Sequence, residues 1–227
     1  MKALLVLVLL SAASRGFLYN VDQPVPVSLK HAEYYAGVRL WGEGGAMVRF
    51  GVGLFDRLTL GVAYGGNGLI GPDTSPDMYP RPEFLARGAI LTEQGYFPDF
   101  IVGFESQDLD RYDDEYDVLP KGGYASLGKT ITPTNTYVQL GVNYWRKVSG
   151  FAVVNQALPA GFEVMVEYDL GLNDNRPELA RRGYLNAGVG WTFNDQIRFS
   201  LGLRDILGNR DATKLNRVID LSFRNHF

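Results

Sequence analysis

Residues 162–170 read FEVMVEYDL, so apolar side chains alternate with Glu163, Met165, Glu167 and Asp169. A period of two residues is typical of a β-strand that has one apolar face and one polar face. The same alternation recurs from about residue 33 to the last residue, and it predicts twelve strands. They lie near 33–42, 46–55, 57–65, 84–93, 99–107, 122–131, 136–146, 151–158, 162–172, 183–193, 196–204 and 217–227.

The connections between these strands are sorted by length. Every even-numbered connection is a short turn, at 55–57, 94–98, 132–135, 159–161 and 194–195. The long loops are all odd-numbered, at 66–83, 108–121, 173–182 and 205–216. In an antiparallel barrel, this order brings all long loops to one end. We therefore predict an all-β fold, a single twelve-stranded antiparallel transmembrane β-barrel with short periplasmic turns and longer extracellular loops.

The polar face of the strands carries charges of both signs in mid-strand positions. A membrane barrel turns its polar face inward, and buried charges must pair there. Two interpretations stay open, since paired charges either fill the lumen or form rows along a narrow polar channel. The predicted lumen charge network consists of Arg39, Arg49, Arg57, Arg87, Glu105, Glu163, Glu167, Asp169, Arg198, Arg204, Asp220 and Arg224. Two stretches have ambiguous facing, near 122–131 and 151–158.

Composition excludes several classes of protein. The 227 residues include no Cys, which excludes disulfides, thiolate metal sites and a Cys nucleophile. The formal net charge of −3 gives no basic surface for nucleic acid. Gly is abundant, at 27 residues, which favours strands and tight turns. No cofactor is predicted.

The N-terminus has the pattern of a secretory signal. A positive start, an apolar run at 3–10 and small residues at 11–14 predict a signal peptide over residues 1–14. Residues 15–32 then form a predicted periplasmic segment, and residues 33–227 the barrel. The predicted location is the bacterial outer membrane.

The last strand ends in an aromatic residue. Ile219, Leu221, Phe223 and Phe227 share its apolar face, which is similar to the C-terminal recognition signal of outer-membrane proteins. We expect barrel-assembly machinery to bind this strand by its main chain. Outer-membrane lipid is the other expected partner, and the oligomeric state is left open.

One predicted outer loop is strongly acidic. Asp108, Asp110, Asp113, Asp114, Glu115 and Asp117 crowd it, opposed only by Arg111. Carboxylates at this density are either a solvated loop or a divalent-cation site that bridges to anionic glycans. The spacing fails the EF-hand pattern.

Two motifs invite enzymatic interpretations that the sequence does not favour. Residues 123–130 read GYASLGKT and match a phosphate-binding loop, but the following residues 131–133, Ile-Thr-Pro, cannot start the helix that this motif needs. A Ser–His hydrolase is a minor alternative, since the chain has only His31 and His226. We predict that the protein is not an enzyme.

Three stretches resemble YjbH-type outer-membrane proteins, a family associated with exopolysaccharide loci. They are VAYGGNGLIG at 62–71, EYDLGLNDNR at 167–176 and GYLNAGV at 183–189. The resemblance implies a role in polysaccharide export or surface organisation, with polysaccharide as a partner. The predicted function is thus a narrow polar channel or a polysaccharide-associated envelope protein. The alternative is a plugged structural or adhesive barrel that acts through its outer loops.

Overall fold

The computed structural model describes residues 17–71, 75–106, 121–174, 183–209 and 216–227. These residues form thirteen antiparallel strands, of which β4 has only two residues. No helix among them is long and apolar enough to cross a bilayer. The strands are β1 (Glu33–Trp41), β2 (Gly45–Leu54), β3 (Leu58–Asn67), β4 (Asp77–Met78), β5 (Glu83–Leu91), β6 (Asp99–Glu105), β7 (Gly122–Ile131), β8 (Thr136–Trp145), β9 (Lys147–Ala157), β10 (Phe162–Asp169), β11 (Tyr184–Phe193), β12 (Ile197–Arg204) and β13 (Asn216–His226).

The twelve long strands close into a barrel. Each pairs with its neighbours in chain order, and β1 closes the ring by pairing with β13, where Arg39 lies opposite Asp220. The short strand β4 extends the end of β3 only. The predicted twelve-stranded antiparallel barrel is confirmed. The bounds differ most in β9, which starts at Lys147 rather than near residue 151.

The two ends of the barrel have different connections. One end, the short-turn rim, carries the connections at 55–57, 92–98, 132–135, 158–161 and 194–196. Asn194 and Asp195 both have positive φ, at 49° and 56°, as a tight type I′ hairpin requires. The other end, the long-loop rim, carries the connections at 68–82, 106–121, 170–183 and 205–215, together with short ones at 42–44 and 146.

Most apolar side chains of the strands face outward and most polar ones face inward. Val164 and Leu201 are 39% and 41% exposed, whereas their neighbours Glu163 and Ser200 are buried at 2% and 5%. A soluble barrel has the reverse arrangement, because its apolar side chains fill the interior. An apolar exterior around a polar interior is typical of transmembrane barrels.

The two stretches of ambiguous facing are resolved. Lys129 lies on the outer face of β7, where its ammonium contacts Glu93 at 3.4 Å near the short-turn rim. In β9, Ser149, Phe151 and Val153 face the lumen and are buried. Residues 123–130, the phosphate-loop match, are regular strand within β7.

Candidate functional site in the barrel lumen

The lumen is occupied by the chain's own N-terminal segment. Residues 17–32, here called the N-terminal plug, begin with a small hairpin inside the barrel. The amide of Asn20 donates to the carbonyl of Gln23 at 2.9 Å, and the amide of Val25 donates to the carbonyl of Leu18 at 3.0 Å. The sequence prediction assigns residues 15–32 to a periplasmic segment, whereas the structure places the described part from Phe17 to Leu29 within the barrel.

The plug enters from the short-turn rim and reaches almost to the other end. At its base, the ring of Phe17 lies 5.7 Å from the guanidinium of Arg198 and 5.3 Å from that of Arg224, both near the short-turn rim. At its tip, Asp22 contacts Arg204, the last residue of β12, at the long-loop end. The plug therefore runs along most of the lumen and returns to the rim where it entered.

Apolar side chains of the plug are packed as in a protein core. Phe17, Leu18 and Leu29 are each 1% exposed, and they cluster with Tyr35 of the barrel wall. Val21 packs separately against Met165 and Val218 near the tip. Burial of each such side chain contributes about 1.5–3 kcal/mol, so the plug is held by more than its polar contacts.

Glycines of the wall make room for the plug. A Cβ atom at Gly53 would lie 1.9 Å from the carbonyl oxygen of Lys30, and one at Gly202 would lie 2.7 Å from Cγ1 of Val21. No side chain fits at such distances. Part of the glycine excess is therefore explained by close approach between wall and plug.

Charged wall residues bind the tip of the plug. The Asp22 carboxylate accepts from Arg39 at 3.0 Å and from Arg204 at 2.7 Å. The backbone amides of Asp22 and Gln23 donate to the two oxygens of Glu167, at 2.6 and 2.9 Å. The tip thus presents both an anion and two amide donors to a wall that carries the matching groups.

Wall side chains also satisfy the backbone carbonyls of the plug. Arg87 donates to the carbonyls of Leu18 and Val25, at 3.0 and 3.2 Å. Arg198 donates to the carbonyl of Tyr19 at 2.8 Å. These carbonyls are buried, and a buried carbonyl without a partner is costly. The wall therefore supplies hydrogen bonds in addition to those that the hairpin makes within the plug.

The environment of Asp22 keeps its side chain ionised. Burial by itself would raise the pKa of the carboxyl, but Arg204 and Arg39 outweigh that effect and hold the pKa below its usual range. The plug tip therefore carries a full negative charge at neutral pH.

Most of the predicted charge network lies where the sequence pattern puts it. Beyond the plug, ion pairs join Arg39 to Asp220 at 2.8 Å and Arg87 to Glu105 at 3.1 Å. Arg224 is only half-buried, at the mouth of the short-turn rim. The buried members are Arg39, Arg49, Arg87, Glu105, Glu163, Glu167, Asp169, Arg198, Arg204 and Asp220.

The assignment of Arg57 to the lumen is wrong. Arg57 is exposed, and it belongs to the short turn that precedes β3, which starts at Leu58. Its guanidinium contacts the carbonyl of Ile90 at 3.5 Å, at the short-turn rim. The period of two runs on through this turn in the sequence, although the strand does not.

Several lumen residues escape the sequence prediction. Gln139 donates to the carbonyl of Pro24 and to the hydroxyl of Ser126, and Asn186 donates to Glu167 at 3.1 Å. These side chains are uncharged, whereas the sequence prediction considered only charged ones. The period of two could have identified them, since Gln139, Ser126 and Asn186 all lie on the polar face of their strands.

The end of the chain lies beside its beginning. Ile219 and Leu221 point outward from β13, and Phe227 is 81% exposed at the rim. The ring of Tyr34 packs at a tilt against those of Phe223 and Phe227, at centroid distances of 5.8 and 4.9 Å. The predicted assembly residues therefore sit on the outer surface at the seam between β1 and β13.

Two predictions lie outside the described residues. They are the signal peptide at 1–14 and the acidic loop with Asp108, Asp110, Asp113, Asp114, Glu115 and Asp117.

Comparison with known proteins identifies the fold. The KdgM porin aligns with a TM-score of 0.52 at 7% sequence identity, over 86% of this chain and 99% of that chain. A second structure, "KdgM porin in complex with disordered oligogalacturonate", aligns over the same shares with a TM-score of 0.48. No family model and no curated protein matches the sequence. The chain therefore has a porin-like β-barrel fold, and the resemblance to YjbH-type proteins stays a prediction.

Proposed function

We propose that this protein is a bacterial outer-membrane barrel of porin type whose lumen is closed at rest by its own N-terminal plug. In this proposal the barrel is a gated polar conduit for small solutes, and the plug is the gate. The short-turn rim faces the periplasm and the long-loop rim faces outward. The apolar outer surface and the sorted connections support this orientation.

The observation that carries the proposal is the separability of the plug. Side chains alone can fill an eight-stranded barrel, whereas larger barrels leave space for other elements. Here that space is taken by a segment outside the barrel strands, joined to them only where Ala32 precedes β1. The segment starts and ends at the short-turn rim, so it can withdraw without breaking any strand pairing.

A solute-flux assay tests the proposal. The full-length protein is reconstituted into liposomes, and swelling is measured in small neutral sugars. Val21→Asp places an unpaired charge against Met165 and Val218, and it should increase flux because it weakens the plug and not the strands. The matched control is Val27→Asp, a half-buried position in the same segment, where flux should stay near the wild-type level.

Two outcomes contradict the gated conduit. High flux through the wild-type protein would mean that the plug does not close the lumen. No flux through a folded Val21→Asp barrel would favour the alternative, a structural or adhesive barrel that acts through its outer loops.

The link to polysaccharide export rests on the YjbH-type resemblance alone. Its test is the amount of surface polysaccharide in cells that lack the protein, compared with cells that regain the wild-type chain. An unchanged amount would remove the link and leave the gated conduit intact.

A hydrolase has little support from the histidines. The Nδ1 atom of His31 accepts from the backbone amide of Phe55 at the short-turn rim. The hydroxyl of Ser222, the nearest serine to His226 in sequence, is bonded to that of Tyr35 at 2.9 Å. We therefore propose no catalytic role for either histidine.

A further inference from the structure

The wall around Asp22 forms a dense cluster of charges. Asp22 pairs with Arg39 and Arg204, and Arg39 also pairs with Asp220. The cluster consists of eight charged residues: Asp22, Asp169, Glu167, Asp220, Arg39, Arg49, Arg204 and Lys121. It contains four cationic and four carboxylate side chains.

Only one of these charges belongs to the plug. Asp22 precedes the barrel, whereas the other seven residues belong to the strands or, for Lys121, immediately precede β7. When the plug withdraws, the described wall residues of this cluster retain four cations and three carboxylates. A buried site with an excess cation attracts an anion, because an unpaired buried charge is costly.

A second observation is a buried ammonium close enough to Asp22 to act on its charge. The Lys121 side chain is 3% exposed, and its ammonium lies 3.7 Å from Asp169, beyond hydrogen-bond distance. Among the described residues, this buried ammonium has no hydrogen-bond partner. It can therefore donate to a further acceptor.

We propose that the position of the Asp22 carboxylate is a carboxylate-binding site of the lumen, which the plug fills with its own side chain. Its external ligands are solutes that carry a carboxylate, such as a small organic acid or an acidic sugar. Arg39 and Arg204 bind the carboxylate, and Lys121 adds positive charge. This inference extends the proposed gate, since a bound solute competes with Asp22 and favours withdrawal of the plug.

The position of the site suits solutes that arrive from outside. Asp22 contacts Arg204, and the Gln23 amide side chain donates to Asp169 at 2.9 Å. Both wall residues are the last of their strands at the long-loop rim. Among the described residues of the plug, those at this site lie closest to that rim.

Chemical rescue tests the binding site. Asp22→Ala in the full-length protein leaves the site empty and should lower the melting temperature of the barrel in detergent. Acetate and glucuronate should each raise that temperature in a saturable way, whereas chloride at equal ionic strength and neutral glucose should not. Wild-type protein and Asp195→Ala, which removes an exposed turn carboxylate, should show no such rise.

The outcomes separate the ligand classes. Rescue by acetate but not glucuronate limits the site to small acids, and rescue by both admits acidic sugars. No saturable rescue, or an equal rise in all three proteins, overturns the proposal. The assay needs no open lumen, so its result stands whether or not the flux assay supports a conduit.

A second measurement applies if Asp22→Ala fails to fold. Val21→Cys gives the Cys-free chain a single thiol that is buried while the plug is docked. Acetate, glucuronate or both should accelerate its labelling several-fold and glucose should not, while a Tyr96→Cys control at a fully exposed turn position stays constant. Equal labelling rates with acetate, glucuronate and glucose would overturn competition with Asp22.

Discussion

Truncation of a single plug side chain should undock the plug from the lumen without unfolding the barrel. Leu18 is 1% exposed and packs with Phe17, Leu29 and Tyr35. Replacing a buried Leu by Ala costs about 2–5 kcal/mol. The contacts of Leu18 with the wall exist only while the plug is docked. Most of that loss therefore lowers the free energy by which the docked plug is favoured over the undocked one. A loss of about 3 kcal/mol raises the undocked fraction about 100-fold.

Thiol labelling measures this shift directly. With Val21→Cys as the only thiol, the labelling rate follows the undocked fraction when the plug closes faster than the reagent reacts. Leu18→Ala should therefore raise the labelling rate about 100-fold. Leu158→Ala, at a half-exposed position on the short-turn rim, is the control and should leave the rate unchanged. Equal rates in both variants, with the barrel still folded, would refute the reasoning.

Three further predictions concern the barrel. Arg39→Met removes a buried cation from two ion pairs, which leaves Asp22 with Arg204 and Asp220 with Arg49 at 3.6 Å. It should cost about 3–5 kcal/mol in unfolding free energy, measured by urea titration, and a loss below about 1 kcal/mol would contradict the pairing. Val164→Arg on the outer face should lower the unfolding free energy in lipid bilayers by about 2–4 kcal/mol. An unchanged unfolding free energy in bilayers would contradict an outward-facing Val164. Deletion of Phe227 should lower the amount of heat-modifiable barrel in outer membranes, and unchanged levels would remove the assembly role of this residue.

The barrel could be predicted from the sequence because its signal is local and repeated. A period of two in stretches such as 162–170 reports which face each residue takes, and twelve repetitions with sorted connections determine the closed antiparallel order. Arg57 shows the limit of this reasoning, because turn residues can continue the alternation of the strand they follow.

The plug could not be predicted in the same way because its contacts are distant in sequence. Asp22 and Arg204 are separated by 182 residues, and the segment has no regular period. Its composition does indicate burial, since Phe17, Leu18 and Val21 are apolar, whereas an exposed linker is mostly polar. Glycines on the polar face, such as Gly202, were the second signal, since they leave space for another part of the chain.

Photo-crosslinking in living cells tests the location of the plug most directly. A diazirine amino acid at position 21 should form intramolecular links to the peptides that contain Met165 or Val218, which pack against Val21 in the structure. Mass spectrometry of the purified barrel identifies these links. We expect these links in the resting protein without added solute. Links only to periplasmic proteins, with none to β10 or β13, would contradict the account.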